Sequence, residues 1–261
     1  MCIVALAWNP DRPTSLLLAS NRDEFFERPT AVMHWWPGDN VLAGRDLKAN
    51  GAWLGMTRGG RFALLTNIRN PALRRSGAPS RGGIVSAFLA SDASPSRFMA
   101  DIASAAGDFE GFNLLCGQLG GAARELWFLN SAGGGPTPLA AGLYGLSNAS
   151  LDSPWPKLQR IKQGLRHALA EADIEAQDDR LLRLLRNTTP TATHLLPNTG
   201  VPPEWEQALG SIFIRRDGYG TRASTVVRVS GARVTAIEVN YEPETNVSAS
   251  NRFAFEMTVS D

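Results

Sequence analysis

Cysteine stands at position 2 and opens the apolar run Cys2-Ile3-Val4-Ala5-Leu6-Ala7-Trp8. Removal of Met1 would make it the N-terminal residue, with a nucleophile and a free α-amine on one residue. The thiolate is the attacking form of a thiol whose ordinary pKa is about 8.5. An α-amine titrates at about 7.7–8.0 and can therefore hold the thiol's proton near neutrality. A nucleophile built this way needs no histidine. The structural alternative is that Cys2 is a small buried hydrophobe at the start of a core strand. The other cysteine, Cys116, follows Leu114-Leu115 and reads as an inert core thiol.

The charged cluster Asn21-Arg22-Asp23-Glu24 closes a second apolar run. Two strands joined by the turn Asn9-Pro10-Asp11 and paired antiparallel bring the start of the first beside the end of the second. Arg22 and Asp23 then neighbour Cys2, where a carboxylate could hold the α-ammonium and an arginine could stabilise a thiolate. Asn67 and Asn148 each end strand-like runs. A side-chain amide is a suitable donor to a tetrahedral oxyanion, and loss of one such donor costs about 10²–10³ in rate. The same residues could equally organise turns. Ser147 and Ser224 read as bonding to local backbone, and Trp35, Trp36, Trp53 and Trp155 as core or half-buried surface. Residues 218–223 match G-x-G-x-x-A, but Ser224-Thr225-Val226-Val227 prefers strand where a dinucleotide site needs a helix. His34, His167 and His194 are too scattered for a metal cluster, and there is no G-x-S-x-G elbow.

The elements that must position these residues follow from apolar periodicity. Strands are predicted at 2–8, 16–19, 41–44, 52–57, 62–66, 112–118, 125–129, 143–146, 225–229, 234–239 and 253–259, with a hairpin turn at 58–61. The first two are apolar throughout and should be buried on both faces. Helices are predicted at 84–90, after Pro95 to about 106, and from a Ser153 cap and Pro154 through Leu158, Ile161, Leu165, Leu169 and Ala172. Another covers 179–186. This order predicts a single α+β domain over 1–261, with helices covering stacked, mainly antiparallel sheets. Lys and Arg number 26 against 25 Asp and Glu, a balance of +1 that gives no global field for nucleic acid. The two cysteines make no disulfide framework or C-x-x-C spacing. With no membrane-length apolar stretch and no signal peptide in view, the expectation is a cytoplasmic protein without integral membrane association.

Asn21-Arg22-Asp23-Glu24 is the signature from which the NRDE family takes its name. The chain closely resembles that family, also called the transport and Golgi organisation 2 family. The likeness continues through Gly51-Ala52-Trp53-Leu54-Gly55, Leu65-Thr66-Asn67, Ser80-Arg81-Gly82, Gly111-Phe112-Asn113-Leu114, Gly145-Leu146-Ser147-Asn148, Pro154-Trp155-Pro156-Lys157 and Gly220-Thr221-Arg222-Ala223-Ser224-Thr225. A more distant resemblance is to N-terminal-nucleophile hydrolases of the penicillin V acylase and bile-salt hydrolase type. That resemblance implies a four-layer αββα sandwich and amide cleavage with Cys2 as nucleophile. It further implies site roles for Arg22 and Asp23, oxyanion roles for Asn67 and Asn148, and, most weakly, a role for Arg222. A small-molecule amide or acyl substrate is expected, with no metal or cofactor required. Family resemblance also implies a rival of another class: a non-catalytic carrier holding haem, a lipid or acyl-CoA in the same pocket. In that case Arg69, Arg74, Arg75 and Arg81 could meet phosphates, although a solvated basic loop is the simpler reading.

Overall fold

The computed structural model describes residues 2–38, 40–242 and 247–258. Met1, at which the nucleophile would be exposed, and Val259, the last residue of the final predicted strand, lie outside the described residues. The strands in chain order are β1 (Cys2–Trp8), β2 (Thr14–Phe25), β3 (Thr30–Trp35), β4 (Val41–Asp46), β5 (Leu54–Thr57), β6 (Arg61–Asn67), β7 (Phe112–Gln118), β8 (Glu125–Asn130), β9 (Thr137–Pro138), β10 (Gly142–Leu146), β11 (Arg215–Arg216), β12 (Tyr219–Ser230), β13 (Arg233–Tyr241) and β14 (Val247–Glu256). The helices are α1 (Gly82–Ala90), α2 (Pro95–Ser104), α3 (Pro156–Ala168), α4 (Ile174–Leu185) and α5 (Pro203–Ala208).

One sheet runs β10-β1-β2-β12-β13-β14, with β11 added at β12, and the other runs β3-β4-β5-β6-β7-β8-β9. Every pairing among the described residues is antiparallel. Alternation along β1 and β2 sends side chains to two different cores. Val4, Leu6, Trp8, Leu16 and Leu18 meet Leu54, Phe62, Leu64 and Leu115 of the opposite sheet. Ile3, Ala5, Leu17 and Ala19 pack instead under Leu158, Ile161 and Leu165 of α3 and Leu181 and Leu185 of α4. On the far side, Ala63, Leu65, Leu114 and Cys116 lie under Ile84, Val85 and Phe88 of α1 and Met99 of α2. Three cores between four layers make the αββα sandwich that was expected. The near-continuous apolar character of β1 and β2 follows from burial on both faces.

Several boundaries differ from the sequence reading. Ser153 does not cap α3, because its hydroxyl donates to the Ser150 carbonyl at 2.8 Å. The residue before a proline is driven toward extended backbone. Trp155, preceding Pro156, accordingly has φ −74° and ψ 134° and delays the helix start. At the other end α3 stops at Ala168, leaving Leu169 and Ala172 outside it. The second helix begins five residues earlier than predicted, because the Asp173 carboxylate caps it by accepting from the Glu175 and Ala176 N–H groups. The strands of the N-terminal quarter divide between the sheets, β1 and β2 in one and β3 to β6 in the other.

Candidate active site

Cys2 and Arg22 are directly opposed across β1 and β2. Residues opposed in this way share a face, here the face turned toward the second sheet. At this end of the sandwich the inter-sheet core gives way to an open cleft of about 610 Å³, lined by Cys2, Arg22, Asp23, Trp53, Asn67 and Tyr219 among others. The cysteine is 8% exposed, Arg22 6% and Asp23 1%, so none of the three points into bulk solvent. The structure therefore brings Cys2, Arg22 and Asp23 to one cleft, as the two-strand argument required.

Each member of the Asn21-Arg22-Asp23-Glu24 run has separate work, because alternation turns neighbours to opposite sides. Asn21 faces the helix layer, where its amide donates to the carbonyls of Leu185 at 2.8 Å and Ile212 at 2.9 Å, and its oxygen accepts from Ser224 at 2.6 Å. Arg22 lies 4.2 Å from the Trp53 ring centroid and donates to the Thr30 hydroxyl at 3.2 Å. Gly44 makes room for Trp53, since a Cβ there would run into the indole. Asp23 accepts from the Thr221 hydroxyl at 2.7 Å. Glu24, less buried, accepts from the Phe25 N–H at 2.9 Å.

The two asparagines are not equivalent. Asn67 ends β6, lines the cleft, and has no side-chain hydrogen bond among the described residues. Asn148 is 1% exposed and does not line the cleft. Its amide donates to the Asn67 carbonyl at 2.9 Å, its own carbonyl accepts from the Arg69 N–H at 2.7 Å, and its side-chain oxygen accepts from Ser147 at 3.2 Å. Nor is Ser147 occupied with local backbone, as its hydroxyl also reaches the Cys2 carbonyl at 3.1 Å across the sheet. Asn148 and Ser147 thus tie the start of β1 to the end of β6. Arg222 falls at a β-bulge between β12 and β2. Its guanidinium donates to the carbonyls of Phe25 at 3.0 Å, Phe26 at 3.1 Å and Arg28 at 3.2 Å, which holds that turn and keeps it off the cleft wall.

Burial dominates the electrostatics. It pushes the Cys2 thiol up, and the Asp23 charge adds to this while Arg22 and the Asp23 backbone N–H oppose it. Burial likewise raises Asp23 to about 6. The Tyr219 hydroxyl is pushed up by burial and by the Asp23 and Glu24 carboxylates. Lys157, only 2% exposed, is lowered to about 8 by burial and by Arg69. Neither Tyr219 nor Lys157 was singled out for the site from sequence. Tyr219 stood only inside the rejected G-x-G-x-x-A match, and Lys157 was visible only as one of three lysines and as the end of Pro154-Trp155-Pro156-Lys157. At the cleft mouth Arg28 pairs with Asp46 at 2.7 Å and Arg81 with Glu110 at 3.0 Å, while Arg74 and Arg75 are exposed. Among the described residues no group of three or more His, Cys, Asp or Glu is placed to hold a metal ion. No helix there is long and apolar enough to cross a membrane.

Fold and site together define a four-layer αββα protein with a cysteine at the start of a central strand, facing a charged cleft. The chain belongs to the transport and Golgi organisation 2 family, whose profile matches residues 1–243. It is 34% identical over 247 residues to the transport and Golgi organization protein 2 homolog of Bos taurus, covering 88% of each chain. Against the Homo sapiens homolog the identity is 33% over 247 residues, again covering 88% of each. Against the Drosophila melanogaster protein it is 30% over 236 residues, covering 82% of this chain and 81% of that one. Among solved structures, the chain is similar to a Caenorhabditis elegans N-acylethanolamine-hydrolyzing acid amidase ortholog, with TM-score 0.46 and 13% identity, covering 86% of this chain and 92% of that one. It is also similar to the C2A mutant of a Clostridium perfringens conjugated bile acid hydrolase, with TM-score 0.41 and 10% identity, covering 100% and 99%.

Proposed function

We propose that this protein is a cysteine amide hydrolase or acyltransferase that becomes active when Met1 is removed. The observation that carries this reading is the direct opposition of Cys2 and Arg22, with Asp23 beside them, in the 610 Å³ cleft. The α-amine of Cys2 takes the thiol proton, and the sulfur attacks the carbonyl carbon of a linear amide or acyl substrate. Asn67 donates to the resulting oxyanion. The ammonium, held by Asp23, then passes its proton to the departing amine, leaving a thioester that water or an acceptor amine opens. Arg22, backed by Trp53, supports the thiolate. The free cysteines fit a reducing cytoplasm.

One observation favours a second reading. Burial pushes the Cys2 thiol up and so works against a thiolate before processing. A non-catalytic carrier would need no thiolate and would use the cleft to hold an acyl or haem-like ligand, with Cys2 and Tyr219 as the lining residues of types that ligate haem iron. Intact mass of the purified protein, followed by turnover of a panel of N-acyl amides by wild type, Cys2→Ala and Cys2→Ser, separates the two. The hydrolase predicts a mass lacking Met1 and turnover lost in Cys2→Ala through kcat. Retained Met1, no turnover, and equal haem or acyl-CoA binding by all three proteins would establish the carrier instead.

A further inference from the structure

We propose that Thr221 is a positioning residue of the Cys2 site: braced by the backbone of Ile214, its hydroxyl fixes the Asp23 carboxylate beside the nucleophile. The catalytic meaning rests on the nucleophile reading above, while the test of the bond itself does not.

Thr221 of β12 stands directly opposite Asp23 of β2. Residues opposed in this way share a face, and the Thr221 hydroxyl donates to Asp23 Oδ1 at 2.7 Å. Both residues are 1% exposed, so bulk water does not compete for the bond. The same hydroxyl oxygen accepts from the Ile214 N–H at 2.9 Å, and the Thr221 N–H donates to the Ile214 carbonyl at 3.1 Å. Ile214 therefore grips both the backbone and the side chain of Thr221. A hydroxyl has one proton to give. With the Ile214 N–H occupying a lone pair, that proton is turned toward the carboxylate. Gly220 permits the approach, since a Cβ there would lie 2.8 Å from the Ile214 carbonyl oxygen.

Asp23 lines the cleft and Thr221 does not, so Thr221 acts on the site through Asp23. The charged and titratable groups around Asp23 are the chain's α-amino group, Cys2 of β1, Glu24 beside it, Lys157 of α3 and Tyr219 of β12. Thr221 adds what those charges do not, a bond with a direction from a group that does not titrate. It holds the carboxylate in place while the thiol and the α-amine of a processed Cys2 exchange their proton, ready for the ammonium that results. A donor to a carboxylate also favours its charged form, and the Thr221 bond pulls Asp23 down against the effect of burial.

The test is a carbon-13 NMR titration of the Asp side-chain carboxyls in the full chain, with Asp23→Asn assigning the resonance. Thr221→Val keeps the shape and removes the hydroxyl, and should raise the Asp23 midpoint by about half to one pH unit. Thr221→Ser restores the donor and should return the midpoint to near wild type. The wild type supplies an arm that needs no substitution: the Thr221 hydroxyl proton should be protected from exchange and should shift with the Asp23 midpoint. An Asp23 midpoint unmoved in Thr221→Val, or a Thr221 hydroxyl proton that exchanges freely with water, would overturn the proposal. In turnover of N-acyl amides, Thr221→Val should lower kcat with KM little changed, and Thr221→Ser should recover it. Cys2-dependent turnover with an undiminished kcat in Thr221→Val would overturn the positioning role. Moved midpoints in a protein without Cys2-dependent turnover would uphold the hold on Asp23 while removing the hydrolase reading.

Discussion

Replacing Asn67 and Asn148 by alanine should give opposite results, although the sequence presents the two alike. Asn148→Ala deletes the 2.9 Å bond to the Asn67 carbonyl and the acceptor that Ser147 uses at 3.2 Å, in a place where Asn148 is 1% exposed. An acceptor left unsatisfied away from water costs about 1–3 kcal/mol. With a urea slope of about 2–3 kcal/mol/M, the unfolding midpoint should fall by roughly 1 M or slightly less. Asn67→Ala removes a side chain with no hydrogen bond among the described residues, so its stability should stay within about 0.5 kcal/mol of wild type. If Asn67 polarises the substrate carbonyl, the same variant should lose about 10²–10³ in kcat. Equilibrium urea denaturation of both variants, followed by tryptophan fluorescence, reads the first effect, and turnover reads the second. Equal destabilisation by the two substitutions, or an Asn148→Ala protein as stable as wild type, would refute the division of labour drawn here.

Cys2 should alkylate faster than Cys116, which is fully enclosed and whose thiol burial pushes well above its ordinary value. Peptide mapping after brief iodoacetamide treatment reads this, and the Cys2 rate should rise when Met1 is absent. Asp23 titrates at about 6 in the fold against 3.8 in an unfolded chain, a raised value that burial causes. Its contribution is therefore complete below pH 3.8 and is lost as pH rises through 6. Wild-type stability should accordingly fall by up to about 3 kcal/mol as pH rises from 3.8 through 6, and Asp23→Asn should lack that fall, a difference that denaturation at several pH values reads. Asp178→Ala should cost about 3–5 kcal/mol, because it strands the buried Arg228 guanidinium that lies 2.5 Å from that carboxylate. Thermal unfolding of this variant beside Asp178→Ala/Arg228→Met should show the double change restoring part of the loss.

The fold was legible wherever the pattern of apolar residues was strong. Burial of β1 and β2 on both faces shows as unbroken apolar runs, and the turn at Asn9-Pro10 fixes their order, so the meeting of Cys2 with Arg22 follows from counting. β3 was missed because its burial is uneven, with Met33 inside and Val32 exposed, and its place comes from pairing with β4. The asparagines were legible as residue types but not as roles. Whether an amide faces a cleft or a neighbouring loop depends on partners more than sixty residues away in sequence. Arg222 was misjudged for a related reason, since the bulge that turns its guanidinium toward the carbonyls of residues 25–28 has no sequence signature. Lys157 escaped notice because a lysine in the first turn of an amphipathic helix normally reaches water. Only the packing of Trp155, Arg69 and β1 around it encloses the ammonium.

The most direct test of the central claim is to trap the acyl-enzyme. The protein is mixed with reactive N-acyl amides, quenched in acid, and examined by intact mass and peptide mapping. The account predicts one added acyl group, on Cys2, in the form lacking Met1, released by hydroxylamine as a thioester is and absent from Cys2→Ala. Turnover of an amide without any Cys2 adduct, or an adduct carried equally by the Met1-retaining form or by Cys116, would contradict it.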